Sequence, residues 1–413
     1  MSDTVTQLDS AQQPWMRMEG LRRLLDAIKA GGGEVRVVGG CVRDVLLGRP
    51  MGDVDLAVNL PPEKVADILT KAGLKVVPTG IDHGTVTAVA DHKGYEITSL
   101  RHDVETDGRR AKVAFTDDWQ ADAARRDFTF NALYAAADGK LYDYFKGRED
   151  LAEGKVRFIG DARERIREDV LRILRFFRFH AWFGRGTPDA DGLAACRELA
   201  GLIPTLSVER VWREVIKLIT AENPLPGWQL MKEQGVLQHV LPEADHFARL
   251  GALLVVEKKY DAVPSSLVRL AALLPKNENL AIQIAKRLKL SGKEAEKLQM
   301  LASLPDKLRG RLDPVPFRRA LYEYGAEPAR DAVLLLAAEA ASADLETALA
   351  EAATWEKPTF PLQGNDILKL GKSPGPEVGV ILKAVEEWWA GQDFRPGRTE
   401  CLAEATARAK ALG

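Results

Sequence analysis

Cysteine is scarce in this chain of 413 residues: three thiols, Cys41, Cys196 and Cys401, stand far apart. So few scattered thiols support neither a disulfide framework nor a zinc cluster, and a reducing cytoplasm suits them best. Histidine is nearly as rare. Six are present without an HExxH or paired-ligand spacing, and His83, in TGIDHGT (79–85), is the one inside a distinctive segment. A histidine-held metal is therefore not expected. No stretch approaches eighteen consecutive apolar residues, so no membrane span is expected. The first twenty residues lack the basic start and apolar centre of a secretory signal. Internal repeats and low-complexity tracts are also missing.

What is present is ordinary for a globular chain, 46% hydrophobic and 29% charged. The length exceeds what one core supports, so about two to four domains are expected. The net charge of −2 gives no global invitation to nucleic acid. Clustering matters more than the total. Between Lys155 and Arg178 the chain places Lys155, Arg157, Arg163, Arg165, Arg167, Arg172, Arg175 and Arg178 against Asp161, Glu164, Glu168 and Asp169.

β-Branched runs at EVRVV (34–38), VDLAV (54–58), TVTAVA (85–90) and YEITSL (95–100) read as strands, with helical stretches such as PPEKVADILTKAG (61–73) between them. Beyond about residue 160 the apolar spacing becomes three and four, as in VERVWREVIKLIT (208–220), and the rest of the chain reads as helix. Breaks are expected at 184–192, 273–280 and 356–366, where Gly, Pro and Asn gather.

One segment combines several chemical parts. VVGGCVRDVLLGRPMGDVDLAV (37–58) reads as strand, glycine pair, short helix, glycine turn and a second strand carrying Asp53 and Asp55. Residues two apart on a strand face the same side, so both carboxylates can reach one magnesium or two close ones. Such ions activate an attacking hydroxyl and stabilise the leaving oxygen in phosphoryl transfer. Gly39 and Gly40 let the backbone approach a phosphate, and Arg43 then meets a triphosphate. An Asp-x-Asp at a strand end is, by itself, usually a solvated turn.

The order and spacing of these parts resemble the nucleotidyltransferase signature of the tRNA nucleotidyltransferase and poly(A) polymerase family, and within it the class II CCA-adding enzymes. RRDFTFNALYA (125–135) looks like the family's second signature and EDVLRILRFFRF (168–179) like its nucleotide-selecting helix. FPLQGNDILKLGKSPGPEVGVIL (360–382) resembles a C-terminal segment of these enzymes. The resemblance implies that Asp53 and Asp55 hold Mg2+ and that Gly40, Arg43, Arg126, Asp169, Arg172, Arg175 and Arg178 bind the nucleotide. Asp169 and Arg172 would face the base. Ionised Asp only accepts and Arg only donates, so together they match the mixed edges of cytosine and adenine. Read as one helix, Asp169, Arg172, Arg175 and Arg178 form a slanting ridge, which in a segment standing alone is more often a solvated face of ion pairs.

Other residues stay open. Glu96 is either a third carboxylate near the metal or a polar residue on an exposed strand face, and Asn131 reads as a brace for Asp127 rather than a contact. Phe176, Phe179 and Trp182 read as core. LRHDVETDGRRAKVAF (100–115) resembles the flexible loop with which these enzymes adjust the pocket; Leu100 replaces the usual aromatic, while Arg101, Asp103, Gly108, Arg109 and Arg110 keep the pattern.

The fold implied is an α+β nucleotidyltransferase head, a small mixed sheet with flanking helices, followed by all-α neck, body and tail. The expected divisions are head 1–155, neck 156–250, body 251–355 and tail 356–413. The expected activity is template-independent addition of CCA to the tRNA 3′ end from CTP and ATP. The helical body and tail would grip the acceptor and TΨC arms, with no membrane and no protein partner implied. TGIDHGTVTAV (79–89) resembles the CCA-adding members, whereas poly(A) polymerases carry a basic, Phe-containing version. An A-adding enzyme keeps the same loop, and an inert RNA-binding scaffold would not need the carboxylates.

Overall fold

The computed structural model describes residues 4–9, 13–81, 84–107, 110–340 and 343–411. His83, Gly108 and Arg109 lie outside the described residues. The chain divides into two compact units, Met1–Leu241 and Pro242–Gly413.

The first unit opens on strands β1 (Thr4–Gln7), β2 (Val35–Val38), β3 (Asp55–Val58), β4 (Lys75–Gly80), β5 (Thr85–Ala90) and β6 (Lys93–Ser99). β7 (Arg101–Asp107), β8 (Arg110–Phe115), β9 (Leu133–Ala135) and β10 (Lys140–Asp143) follow. Eight of them join in the order β1-β10-β9-β2-β3-β6-β5-β4, while β7 and β8 form a separate hairpin. Only β3 and β6 pair in parallel among the described residues, so the sheet is mixed, as expected. β2 is buried along its whole length, whereas β5 alternates buried and half-buried residues. The alternating TVTAVA dictates the second pattern, whereas β2 also buries Arg36, which pairs with Glu34 and lies over the Trp119 and Tyr142 rings.

Helices α1 (Glu19–Ala30) and α3 (Pro62–Lys71) present Leu21, Leu24, Leu25 and Ile28, and Val65 and Leu69, to a core shared with Val37, Leu56 and Ile97. Pro61 and Pro62 open α3 without losing a helical hydrogen bond, as the sequence implied. Between α1 and α3, α2 (Gly40–Leu46) leaves β2 through the glycine pair. On the other side Val38, Ala57 and Leu100 pack with Trp119 and Ala123 of α4 (Trp119–Ala124) and with Tyr134.

Helices α5 (Gly147–Glu153), α6 (Ala162–Glu168), α7 (Leu171–Phe183), α8 (Ala190–Leu199), α9 (Val208–Ile219) and α10 (Leu225–Glu233) complete the unit. α7 buries Ile173, Leu174, Phe176 and Phe177. The stretch 168–179 is not one helix: α6 ends at Glu168, Asp169 is extended at φ −148° and ψ 102°, and α7 begins at Leu171. The single ridge therefore gives way to an aspartate standing before a helix that carries the three arginines.

The second unit is helical among its described residues. One core gathers Phe317, Leu321, Val333 and Leu345, and another gathers Ile381, Val385, Trp389 and Cys401. Arg269 and Glu257, both buried, form an ion pair at 2.7 Å.

Candidate active site

β2 hands the chain to α2 through Gly39, whose φ of 76° and ψ of −127° suit only glycine. This turn opens onto a cavity of about 610 Å³. Gly40, Arg43, Asp55, Arg126, Asp169, Arg172, Arg175 and Arg178 all line it. Asp53 does not. β3 starts at Asp55, and Asp53 lies in the coil just before it; both are exposed, with buried Val54 between them.

Asp55 loses hydration at the cavity edge, and this foremost raises its pKa. Glu96 and Asp53 push the same way and Arg126 opposes them. Glu96 is exposed on β6, the parallel neighbour of β3, where Leu56 pairs with Ile97. Three exposed carboxylates thus crowd one strand end.

The arginines are held by acceptors behind them. Arg126 donates Nε to Tyr134 Oη at 3.1 Å and Nη2 to Asp122 Oδ2 at 3.2 Å. Burial works against the charge on Arg126, but Tyr134 and Asp122 outweigh it. Asp122, 1% exposed, also accepts from Arg125 Nε at 2.9 Å and Tyr134 Oη at 2.7 Å. Arg43 donates Nη1 to Asn131 Oδ1 at 2.8 Å, and Asn131 in turn donates Nδ2 to Asp127 Oδ1 at 2.9 Å. Arg175 donates Nε to Asp127 Oδ2 at 2.6 Å. Burial pushes the Asp127 carboxyl up, yet Arg175 first, then Asn131 and the Phe128 N–H, hold it below the usual carboxylate range. Arg178 pairs with buried Glu214 on α9.

Asp169 and Arg172 are brought together with further partners. Arg172 donates Nη1 to Glu168 Oε2 at 2.8 Å and to the Arg165 carbonyl at 2.9 Å, and Nη2 to the Arg125 carbonyl at 3.0 Å. Its Nε–H and one Nη2–H remain for a ligand. Asp169 accepts the Leu171 N–H at 3.2 Å, and both its oxygens lie 2.9 Å from Arg210 Nη2.

Arg210 and Lys217, both on α9, line the cavity without having been singled out, and Asp127, with its neighbour Asn131, lines it too. The helical pattern of VERVWREVIKLIT placed its apolar face but could not say which cation would turn toward α7. One expectation is corrected by geometry. Trp182 is 36% exposed rather than core, because it stands in the last turn of α7 where the helix leaves the packed layer. Within the stretch 100–115, compared above with a flexible loop, β7 and β8 pair as a hairpin.

Eight basic side chains face three carboxylates in this cavity, beside a glycine turn and a carboxylate-bearing strand end. These are the parts a polyphosphate-handling transferase uses to position a substrate and meet developing charge. The family description "Poly A polymerase head domain" fits residues 35–157, and "Probable RNA and SrmB- binding site of polymerase A" fits 187–247. The chain is 35% identical over 392 residues to CCA tRNA nucleotidyltransferase 1, mitochondrial, of Danio rerio, covering 93% of this chain and 90% of that protein. It is 33% identical over 369 residues to the CCA-adding enzyme of Streptococcus sanguinis, covering 88% and 90%. In fold it matches the Bacillus stearothermophilus CCA-adding enzyme in complex with CTP, at a TM-score of 0.77 and 24% identity over 98% of this chain and 99% of that one. The chain belongs to the CCA tRNA nucleotidyltransferase family.

Proposed function

We propose that this enzyme adds cytidine, cytidine and adenosine in turn to the 3′ end of tRNA, using CTP and ATP and releasing pyrophosphate. The observation that carries the reading is the single cavity that gathers Asp55, the Gly39–Gly40 turn, Arg126 and the Asp169–Arg172 pair. In this reading Asp169 and Arg172 face the base edge, while Arg43, Arg126, Arg175 and Arg178, with Gly40, meet the triphosphate. The ion pairs behind these arginines fix their directions before substrate arrives.

Asp53 and Asp55 are the residues that would hold magnesium. Hard carboxylate oxygens fit the ion, which commonly takes one or two carboxylates and completes its shell with water and substrate phosphates. When bound it lowers the charge repulsion between a 3′ hydroxyl and the α-phosphate. Glu96 adds negative field at the same strand end.

The four-part division at about residues 155, 250 and 355 belongs to the same reading, with the body and tail holding tRNA by phosphates and shape. So does a cytoplasmic site of action: Cys41, Cys196 and Cys401 are free and buried, as suits a reducing compartment. No helix among the described residues is long and apolar enough to cross a membrane.

The test is to give purified enzyme a tRNA ending before its CCA, with each nucleotide separately and together. CTP alone should add two residues, and ATP should add one only afterwards. Long A tails from ATP alone would mean a poly(A) polymerase, and adenosine only on a preformed CC would mean an A-adding enzyme.

A further inference from the structure

Beside the nucleotide cavity, and sharing Arg43, Arg178 and Lys217 with it, lies a second space of about 590 Å³. Its own wall adds Arg49, Trp182 and Phe183, with Asp44 and Glu222 as its carboxylates. Four cations and two carboxylates line it; Asp44 is already paired with Arg43 at 2.8 Å and Arg178 with Glu214, which leaves Arg49 and Lys217.

Two of these cations share one aromatic ring. The guanidinium carbons of Arg43 and Arg49 both lie over the Phe183 ring, 4.6 and 4.7 Å from its centroid. Arg49 donates Nη2 to the Trp182 carbonyl at 2.8 Å, and the Trp182 indole N–H donates to the Lys217 carbonyl at 2.6 Å. Stacking and a carbonyl bond orient Arg49 without neutralising it, whereas Arg43 is already paired with Asp44. An anion entering the space therefore meets Arg49 and Lys217, neither of which forms an ion pair among the described residues.

The order of side chains along α7 says which anion. Asp169 stands just before the helix, Arg172, Arg175 and Arg178 follow at successive turns, and Trp182 and Phe183 end it. With the base at Asp169 and the phosphates toward Arg175 and Arg178, the second space continues the line past the terminal phosphate. We propose that it is a release site for inorganic pyrophosphate, an inference that rests on the direction of the nucleotide given above. In the transfer, the RNA 3′ oxygen bonds to the α-phosphorus and its proton passes to solvent. The bond from the α-phosphorus to the bridging oxygen breaks, and its electron pair leaves with pyrophosphate. Arg43, Arg178 and Lys217 border both spaces and pass the anion across, while Arg49 belongs to the second alone.

Arg49→Gln tests this. Addition of CTP to tRNA lacking CCA is measured against rising inorganic pyrophosphate, together with pyrophosphorolysis of a CCA-ended tRNA. The pyrophosphate needed for half-inhibition, and its KM in reverse, should rise about five- to tenfold, the loss of one partly solvated charge-assisted contact. The KM values for CTP and ATP should stay within about twofold, and Arg49→Lys should recover part of the pyrophosphate affinity. An equal rise for CTP would make Arg49 part of the nucleotide site, a rise confined to the KM for tRNA would give the space to the RNA end, and no change would leave it without this role. Each of these outcomes overturns the proposal. Should Arg49→Gln fail to fold, Lys217→Gln at an exposed position answers the same question, with a larger shift expected for pyrophosphate than for CTP. Wild-type enzyme unable to add CTP would instead remove the functional reading beneath the proposal.

Discussion

Asp127 is a buried carboxylate that its surroundings keep charged, with Arg175, Asn131 and the Phe128 N–H all donating to it. Its pKa is depressed in the folded state, so its contribution to stability is present above the unfolded value of about 3.9 and is lost as pH falls through the lower folded value. Asp127→Asn should cost about 1–3 kcal/mol at pH 7 by leaving Arg175 without its charged partner. Urea unfolding checks this: the gap between wild type and variant should close as pH falls below about 4. A gap constant across that range would mean that the pair contributes nothing through charge. Asp169 makes a different test, of choice rather than stability. Asp169→Asn replaces an acceptor-only group with one that also donates, which matches the O4 of uracil. The preference for CTP over UTP in kcat/KM should fall about ten- to a hundredfold, and an unchanged ratio would take Asp169 away from the base.

At the scale of elements, the Gly39 turn makes the sharpest demand on sequence. A Cβ there would find Arg126 Nη1 no closer than 3.7 Å, so space is available, but the backbone at φ 76° is not one that alanine adopts easily. Gly39→Ala should destabilise by about 1–3 kcal/mol through conformation rather than collision; a melting temperature equal to wild type would contradict that. The strands around this turn were legible from their β-branched runs, though the burial of Arg36 on β2 was not. The break before α7 was not read from spacing, since a three-residue repeat continues across a cap as readily as along a helix. The signal was present in another form: an aspartate just before an apolar periodic run is a helix-start residue, and Asp169 accepts the Leu171 N–H. The β7–β8 hairpin had its own mark in Asp107-Gly108, a turn dipeptide between two runs able to pair. Arg210 and Lys217 carried no comparable mark, because periodicity locates the apolar face of α9 and leaves its cations equivalent.

For the whole molecule the difficulty is charge. A net charge of −2 gives no general attraction to RNA, so affinity has to come from local concentrations such as the run from Lys155 to Arg178. Much of that run is committed internally: Arg165 and Arg172 both pair with Glu168, Arg175 with Asp127 and Arg178 with Glu214. The cations left for the RNA backbone must be spread over other surfaces, and their number is readable from salt dependence. With tRNA held through about six or more phosphates, the dissociation constant should weaken by about a thousandfold or more between 50 and 200 mM salt. Asp55→Ala should abolish nucleotide addition while leaving that salt slope unchanged, because removing one carboxylate at a strand end takes away no phosphate contact. Filter binding and single-nucleotide extension on the same preparations separate the two effects. A variant that loses the slope along with the activity would place Asp55 in RNA binding, and one that keeps full activity would remove it from the metal site.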